Sequence, residues 1–401
     1  MRTLGTLRGI AILTVVISHA AAFGMIALAW WGDRFGKFGP RPDLSWVGTP
    51  TYYTLIGVTQ LTQISVPVFL FAAGFYVAYV TRGNPKNLSW SVIRGQFQGL
   101  ILPFVVWMVI SVVLYLVPTV VNPTSGPAAL AGLVGLVQAR WADYYFVPAL
   151  GIMLLLSPVL ARAAFRYPGR LLALSAILGA MIWGRDDLRY LGVTSPVLSG
   201  LLNFLPWSFP WRWIFFFALG LVLARYQEPL RPRLARWKWP LAVGALGLGL
   251  LSIVEADLLN RLNHGYANFT PSFPSFLYVA VATLALASWE WRLGRFGHLL
   301  DRLGIQSYGI YLVQALVIGY AAGIVYHLAP SVLQRQVLLQ PLLLVAGLGG
   351  PMLVMWATAR SPLRRYQRLL FGSSSSPRKR TSSPVAWPGR TSPVPSLKGK
   401  A

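Results

Sequence analysis

The sequence predicts an all-α bundle, a polytopic transmembrane protein of about ten helices with both termini cytoplasmic. Three observations carry this. Of 401 residues, 55% are hydrophobic and only 11% charged, against about one-quarter charged in a soluble domain. Several windows of about 18 residues or more are nearly free of charge, enough to cross a bilayer core. Lys and Arg also concentrate in alternate loops, as they do where cytoplasmic loops collect them.

The first apolar run, 4–29, leads into a loop with Arg34, Lys37 and Arg41. The second, 64–81, is followed by Arg82, Lys86 and Arg94, and the third, 100–121, by a loop with Arg140 alone. The fourth, 144–163, meets Arg162, Arg166 and Arg170 before the short fifth, 170–184, which ends at Arg185 and Arg189. The sixth, 211–226, precedes Arg225, Arg231, Arg233, Arg236 and Lys238; the seventh, 239–257, precedes Arg261. The short eighth, 274–289, is followed by Arg292, Arg295 and Arg302; the ninth, 307–327, by Arg335; the tenth, 337–358, by Arg360, Arg364, Arg365 and Arg368. Leaving that last cluster aside, one set of loops holds 14 Lys and Arg and the other, longer set 8. The bias places both termini inside.

The formal net charge of +25 therefore reads as membrane orientation rather than a nucleic-acid footprint, and no nucleic-acid partner is expected. Most carboxylates (Asp33, Asp43, Asp143, Asp186, Asp187, Glu255 and Asp257) fall on the outer side, whereas Glu228, Glu290 and Asp301 fall inside. Outer loops such as PRPDLSWVGTPTYY and NFLPWSFPWRW read most simply as an interfacial aromatic belt. Residues 1–371 form the membrane domain. Residues 372–401, rich in Ser, Pro and basic side chains, cannot bury a core and read as a disordered cytoplasmic tail. With no cysteine, disulfides and thiol chemistry are excluded.

Candidate chemistry sits in the first run, LRGIAILTVVISHA, where Arg8 and His19 interrupt an otherwise lipid-soluble segment. Ionisable groups there usually face a protein interior or a water-filled cavity. Eleven residues come to about 20° past three full helical turns, so the two side chains share a face roughly 16 Å apart along the axis. A fixed cation near the cytoplasmic boundary and a titratable base deeper in suit a long anionic donor entering from the cytoplasm. Taken singly, Arg8 reads as a snorkelling anchor and His19 as a histidine bonded to a neighbouring helix. Ala20-Ala21-Ala22 also mimics a signal-peptide cleavage site, but the apolar run continues through MIALAWW, so residues 1–22 are expected to remain. Glu255 is a candidate to orient His19. The spacing of His264, His298 and His327 suggests no metal site.

These residues resemble the acyltransferase-3 family, integral membrane acyltransferases whose first helix carries an Arg, ten residues and a His. The likeness continues through ISVPVFLFAAGFYVAYVTR with Gly74-Phe75 and Arg82, VIRGQFQGLILPF with Arg94 and Pro103, and YYFVPALGIMLLLSPVL with Pro158. It extends to IFFFALGLVLAR with Gly220 and RLGIQSYGIYLVQ with Ser307, Tyr308, Tyr311 and Leu312. Departures from the family pattern are Tyr79, Gln96 and Gln98 where further arginines are common, and Gln314 where the late motif commonly ends in His. The resemblance implies an O-acyltransferase with no bound cofactor. It would use cytoplasmic acyl-CoA, acetyl-CoA by default, as co-substrate and a hydroxyl of an extracytoplasmic glycan or lipid-linked sugar as acceptor. Arg8, Arg82 and Arg94 would engage the phosphates of the donor by charge-assisted bonds, and His19 would act as the base. Ser307, Tyr308 and Tyr311 would support the site. The expected location is a bacterial inner (plasma) membrane. The competing readings are a transporter or flippase of a lipid-linked glycan, with Arg8 and His19 on the substrate path, and a catalytically silent relative.

Overall fold

The structure, a computed structural model, describes residues 2–29, 45–81, 88–121, 144–190, 210–262, 272–289 and 294–372, and its regular structure there is helical throughout. Helix α1 spans Arg2–Ala29, α2 Pro50–Thr62, α3 Ser65–Val80 and α4 Trp90–Val121. After them come α5 (Phe146–Arg166), α6 (Pro168–Tyr190), α7 (Ile214–Arg225) and α8 (Gln227–Leu262). The remainder includes α9 (Phe273–Ser288), α10 (Gly294–Leu328), α11 (Gln336–Arg360) and a last short turn of helix, α12 (Gln367–Phe371).

Each of the ten apolar runs has its helix. Among the described residues, seven segments are long and apolar enough to cross a membrane: Leu4–Ala29, Pro50–Val80, Trp90–Leu114, Phe146–Arg166, Gln227–Leu262, Gly294–Leu328 and Gln336–Arg360. The chain is thus a polytopic helical bundle. The other three runs lie on α6, on α7 with only 12 residues, and on the apolar but 16-residue α9. Helix α7 is buried along nearly its whole length, so its shortness is met by protein rather than by lipid.

Four boundaries differ from the sequence reading. Residues 50–62, expected in a loop, form α2. Thr49 accepts a hydrogen bond from the Tyr52 N–H at 3.3 Å and Pro50 takes the first turn, where its missing N–H is harmless. The helix breaks at Gln63–Ile64 because Pro67 removes a backbone donor and its ring crowds the carbonyl four residues back, that of Gln63. Helices α4, α8 and α10 begin 10, 12 and 13 residues before the expected spans. Those added turns carry Arg94, Arg231, Arg233, Arg236, Lys238, Arg295 and Arg302, and a search for apolar runs passes over them. At the α5–α6 corner, Tyr167 leaves the helical region (φ −140°, ψ 58°) ahead of Pro168, as a residue before proline does.

Side-chain contacts fix the relative directions. Helices α1 and α10 run parallel, with Thr6 against Asp301, Arg8 against Ser307 and His19 against Gln314. Helix α4 joins them in the same sense through Leu100 with Tyr308 and Leu114 with Tyr320. Helix α11 opposes α1, since Gln336 reaches Gly24 and Gln340 reaches Ala20. Helix α8 opposes α2, pairing Asn260 with Tyr52 and Ser252 with Gln60. The last described residues return to the end where α1 begins: Trp107 Nε1 donates to the Leu370 carbonyl at 2.8 Å, and Gly372 caps α12 with φ 68°. The tail from 373 onward lies outside the described residues.

The interior holds much of what the sequence assigned to an aromatic belt. Trp213 is buried against Trp183 and Tyr145, with ring centroids 5.5 and 6.1 Å apart, and Trp46 packs on Tyr52 at 5.6 Å. Composition distinguishes poorly between a tryptophan at the headgroups and one turned inward. Between α2, α8 and α9 lies a buried polar cluster in which Gln60 Oε1 accepts from Ser252 at 2.9 Å and Ser275 at 3.2 Å. Such contacts join helices where lipid provides no hydrophobic drive.

Candidate active site

The site is built on the α1–α10 contact. Gly5, Gly9 and Gly304 lie where the two backbones meet: a Cβ on Gly9 would overlap the Leu300 carbonyl, and one on Gly304 the Gly5 carbonyl. Small residues at this spacing let helices approach to backbone contact. That approach sets the polar side chains of α1 directly against α10. The motif glycines Gly74 and Gly220 play the same part where α3 crosses α7, each facing the partner's backbone.

Arg8 is half-buried, and its Nη2 donates to Ser307 Oγ at 3.0 Å. Ser307 is 1% exposed and itself donates to the Gly304 carbonyl at 2.9 Å, so it holds the guanidinium from a fixed position. Nearer the start of both helices, Thr6 donates to Asp301 at 2.7 Å. His19, also half-buried, meets Gln314 across the same interface, Nδ1 to Nε2 at 3.4 Å. The two groups foreseen on one face of α1 are therefore both turned to α10, each engaged by a polar side chain there.

The remaining expected residues divide. Tyr308 donates to the Leu100 carbonyl, tying α10 to α4. Tyr311 is buried against Tyr144 and Phe146, with centroids 6.3 and 5.3 Å away. Both brace the helix that carries Ser307 and Gln314. Arg94 is exposed near the start of α4, at the same end of the bundle as Arg8, about 9 Å along the helix from Leu100. Arg82 lies outside the described residues, as does His264.

Glu255 is placed elsewhere. It faces the Ser272 hydroxyl in the cluster between α8 and α9, and one of its carboxylate oxygens is buried without a partner. The described contacts do not bring it to His19, whereas Gln314 does reach the imidazole. Among the described residues no three His, Cys, Asp or Glu side chains gather to hold a metal ion. His298 and His327 are exposed at opposite ends of α10.

Fold and site together define a multi-pass membrane protein in which one interhelical seam presents a cation and an imidazole on a single stripe. The chain matches the family model of the acyltransferase-3 domain over residues 2–360 and belongs to that family of membrane acyltransferases. No curated protein and no solved structure matches it.

Proposed function

We propose that this protein moves an acyl group, acetyl in the first instance, from cytoplasmic acyl-CoA to a hydroxyl of a cell-envelope carbohydrate or related acceptor across the membrane. It would cross the inner membrane ten times with both termini cytoplasmic, in contact with the bilayer, the donor and an extracytoplasmic glycan or lipid-linked sugar. The observation that carries this reading is the stripe itself, with Arg8 and His19 roughly 16 Å apart along α1 and both held by α10. Arg8, with Arg82 and Arg94, would take the donor's phosphates. His19 would remove the proton from the acceptor hydroxyl as its oxygen attacks the thioester carbonyl carbon. Collapse of the adduct breaks the C–S bond, the proton passes to the departing thiolate, and the products are an ester and free CoA thiol.

The direct test uses the full chain in lipid nanodiscs with acetyl-CoA and a panel of envelope glycans, reading thiol release and acyl mass gained. Acceptor-dependent thiol release supports the reading. Glycan movement with no thiol release would make the protein a transporter. Arg8→Ala is expected mainly to raise the apparent KM for acyl-CoA, because one charged contact is worth about 1.5–3 kcal/mol. An unchanged KM at normal expression removes Arg8 from the donor site. The orientation has its own measurement: reporter fusions after Trp30, Asn87, Asn122 and Gly372 should read out, in, out and in, and a periplasmic signal at Gly372 overturns the arrangement.

A further inference from the structure

We infer that Gln314 is the positioning residue of His19. Its side-chain amide holds the imidazole through Nδ1, fixes the Nδ1–H tautomer, and leaves Nε2 as the nitrogen that takes the acceptor proton. The catalytic half of this inference rests on the function proposed above; the contact itself does not.

Three observations carry it. Gln314 is fully buried, with 0% exposure, and its amide lies 3.4 Å from His19 Nδ1. Its side-chain oxygen is buried with no hydrogen-bond partner, although buried polar groups are nearly always paired. The helix that carries it is tied down in the two turns that precede it. Tyr144 donates to the Leu312 carbonyl at 2.8 Å, and Arg8 holds Ser307 two turns earlier. A side chain so fixed, on an interface where glycines bring the backbones together, has little freedom to leave the imidazole.

The amide offers Nδ1 either its NH2 or its carbonyl, and half a turn about its last torsion interchanges them. With NH2 facing the ring, Nδ1 must accept and the proton sits on Nε2, which then cannot take another from a hydroxyl. With the carbonyl facing the ring, Nδ1–H is the donor and Nε2 keeps its lone pair. The second arrangement uses the oxygen that otherwise has no partner, and it is the one a base at Nε2 requires. Either way one half of the amide keeps no partner among the described residues, which suits a group beside an arriving substrate.

The experiment uses the full chain in nanodiscs with 15N-labelled histidine, the His19 signals being assigned by their loss in His19→Gln. The parent is expected to show the Nδ1–H tautomer. Gln314→Leu, similar in size but unable to hydrogen-bond, should lose that preference and lower kcat at least about tenfold, as a wrong tautomer does, with KM for both substrates within about twofold. Gln314→Glu, whose oxygens accept Nδ1–H as the carbonyl does, should restore the tautomer and most of kcat. A parent in the Nε2–H form overturns the inference, and so does Gln314→Leu with parental kcat. If the parent transfers no acyl group, the acyltransferase reading fails, and the imidazole spectrum still decides the contact.

Discussion

His19→Gln is expected to lose acyl transfer by at least about a hundredfold in kcat, the lower range for a positioned general base, or about 2.7 kcal/mol of barrier. An acceptor hydroxyl is a poor nucleophile near neutral pH and needs a base within hydrogen-bond reach. Among the described histidines, His298 and His327 are exposed at the two ends of α10, a helix about 52 Å long, so neither substitutes at the level of His19. Glutamine keeps a polar contact to Gln314 and much of the volume but has no basicity. The variant should therefore insert and pack normally, bind the donor with little change in KM, and turn over poorly. A His19→Gln protein with near-parental turnover at equal membrane levels would make His19 a polar contact between helices and nothing more. Arg8→Ala is the informative contrast, since its loss should fall on KM.

The pair Arg8 and His19 was legible in the sequence because helical periodicity places both on one face and because ions are conspicuous in an apolar run. Their partners were not legible in the same way. Ser307 and Gln314 lie nearly 300 residues away, and no local pattern says that α10 rather than α8 stands beside α1. Glu255 was an expectation from residue type and from its place near the outer end of the seventh span, and neither tells which neighbour a carboxylate meets. Gln314 was visible only as a departure from a pattern; its meaning came from the contact. Helix α2 was hidden by a composition of Thr, Tyr and Gln that gives no long apolar run, although Thr49-Pro50 is a readable start signal. The polar first turns of α4, α8 and α10 escaped for the same reason, since hydropathy detects the lipid-facing part of a helix and passes over the rest.

The α1–α10 seam is expected to be the most sensitive structural feature of the site. Gly304→Ala puts a methyl group on the Gly5 carbonyl and close to the Gly9 N–H, and neither obstacle is a flexible side-chain end that can swing aside. The helices must separate, which typically costs about 1–3 kcal/mol for an overpacked contact. Separation also draws Arg8 from Ser307 and His19 from Gln314, so a lowered thermal midpoint should come with a raised KM and a reduced kcat together. Gly304→Val should be worse, to the point of little folded protein. Gly247 is the control: on exposed α8 a Cβ there meets nothing within 4 Å, and Gly247→Ala should be neutral or stabilise by about 0.5–1 kcal/mol through the backbone entropy of glycine. Gly9→Ala strains the same crossing against the Leu300 carbonyl. Once one methyl has parted the helices, the second meets a gap already opened, so the double variant Gly9→Ala/Gly304→Ala should cost less than the two single losses added. Additive losses would mean that the two glycines relieve separate contacts, and a Gly304→Ala protein with parental midpoint and kcat/KM would mean that backbone approach at this seam does not set the site.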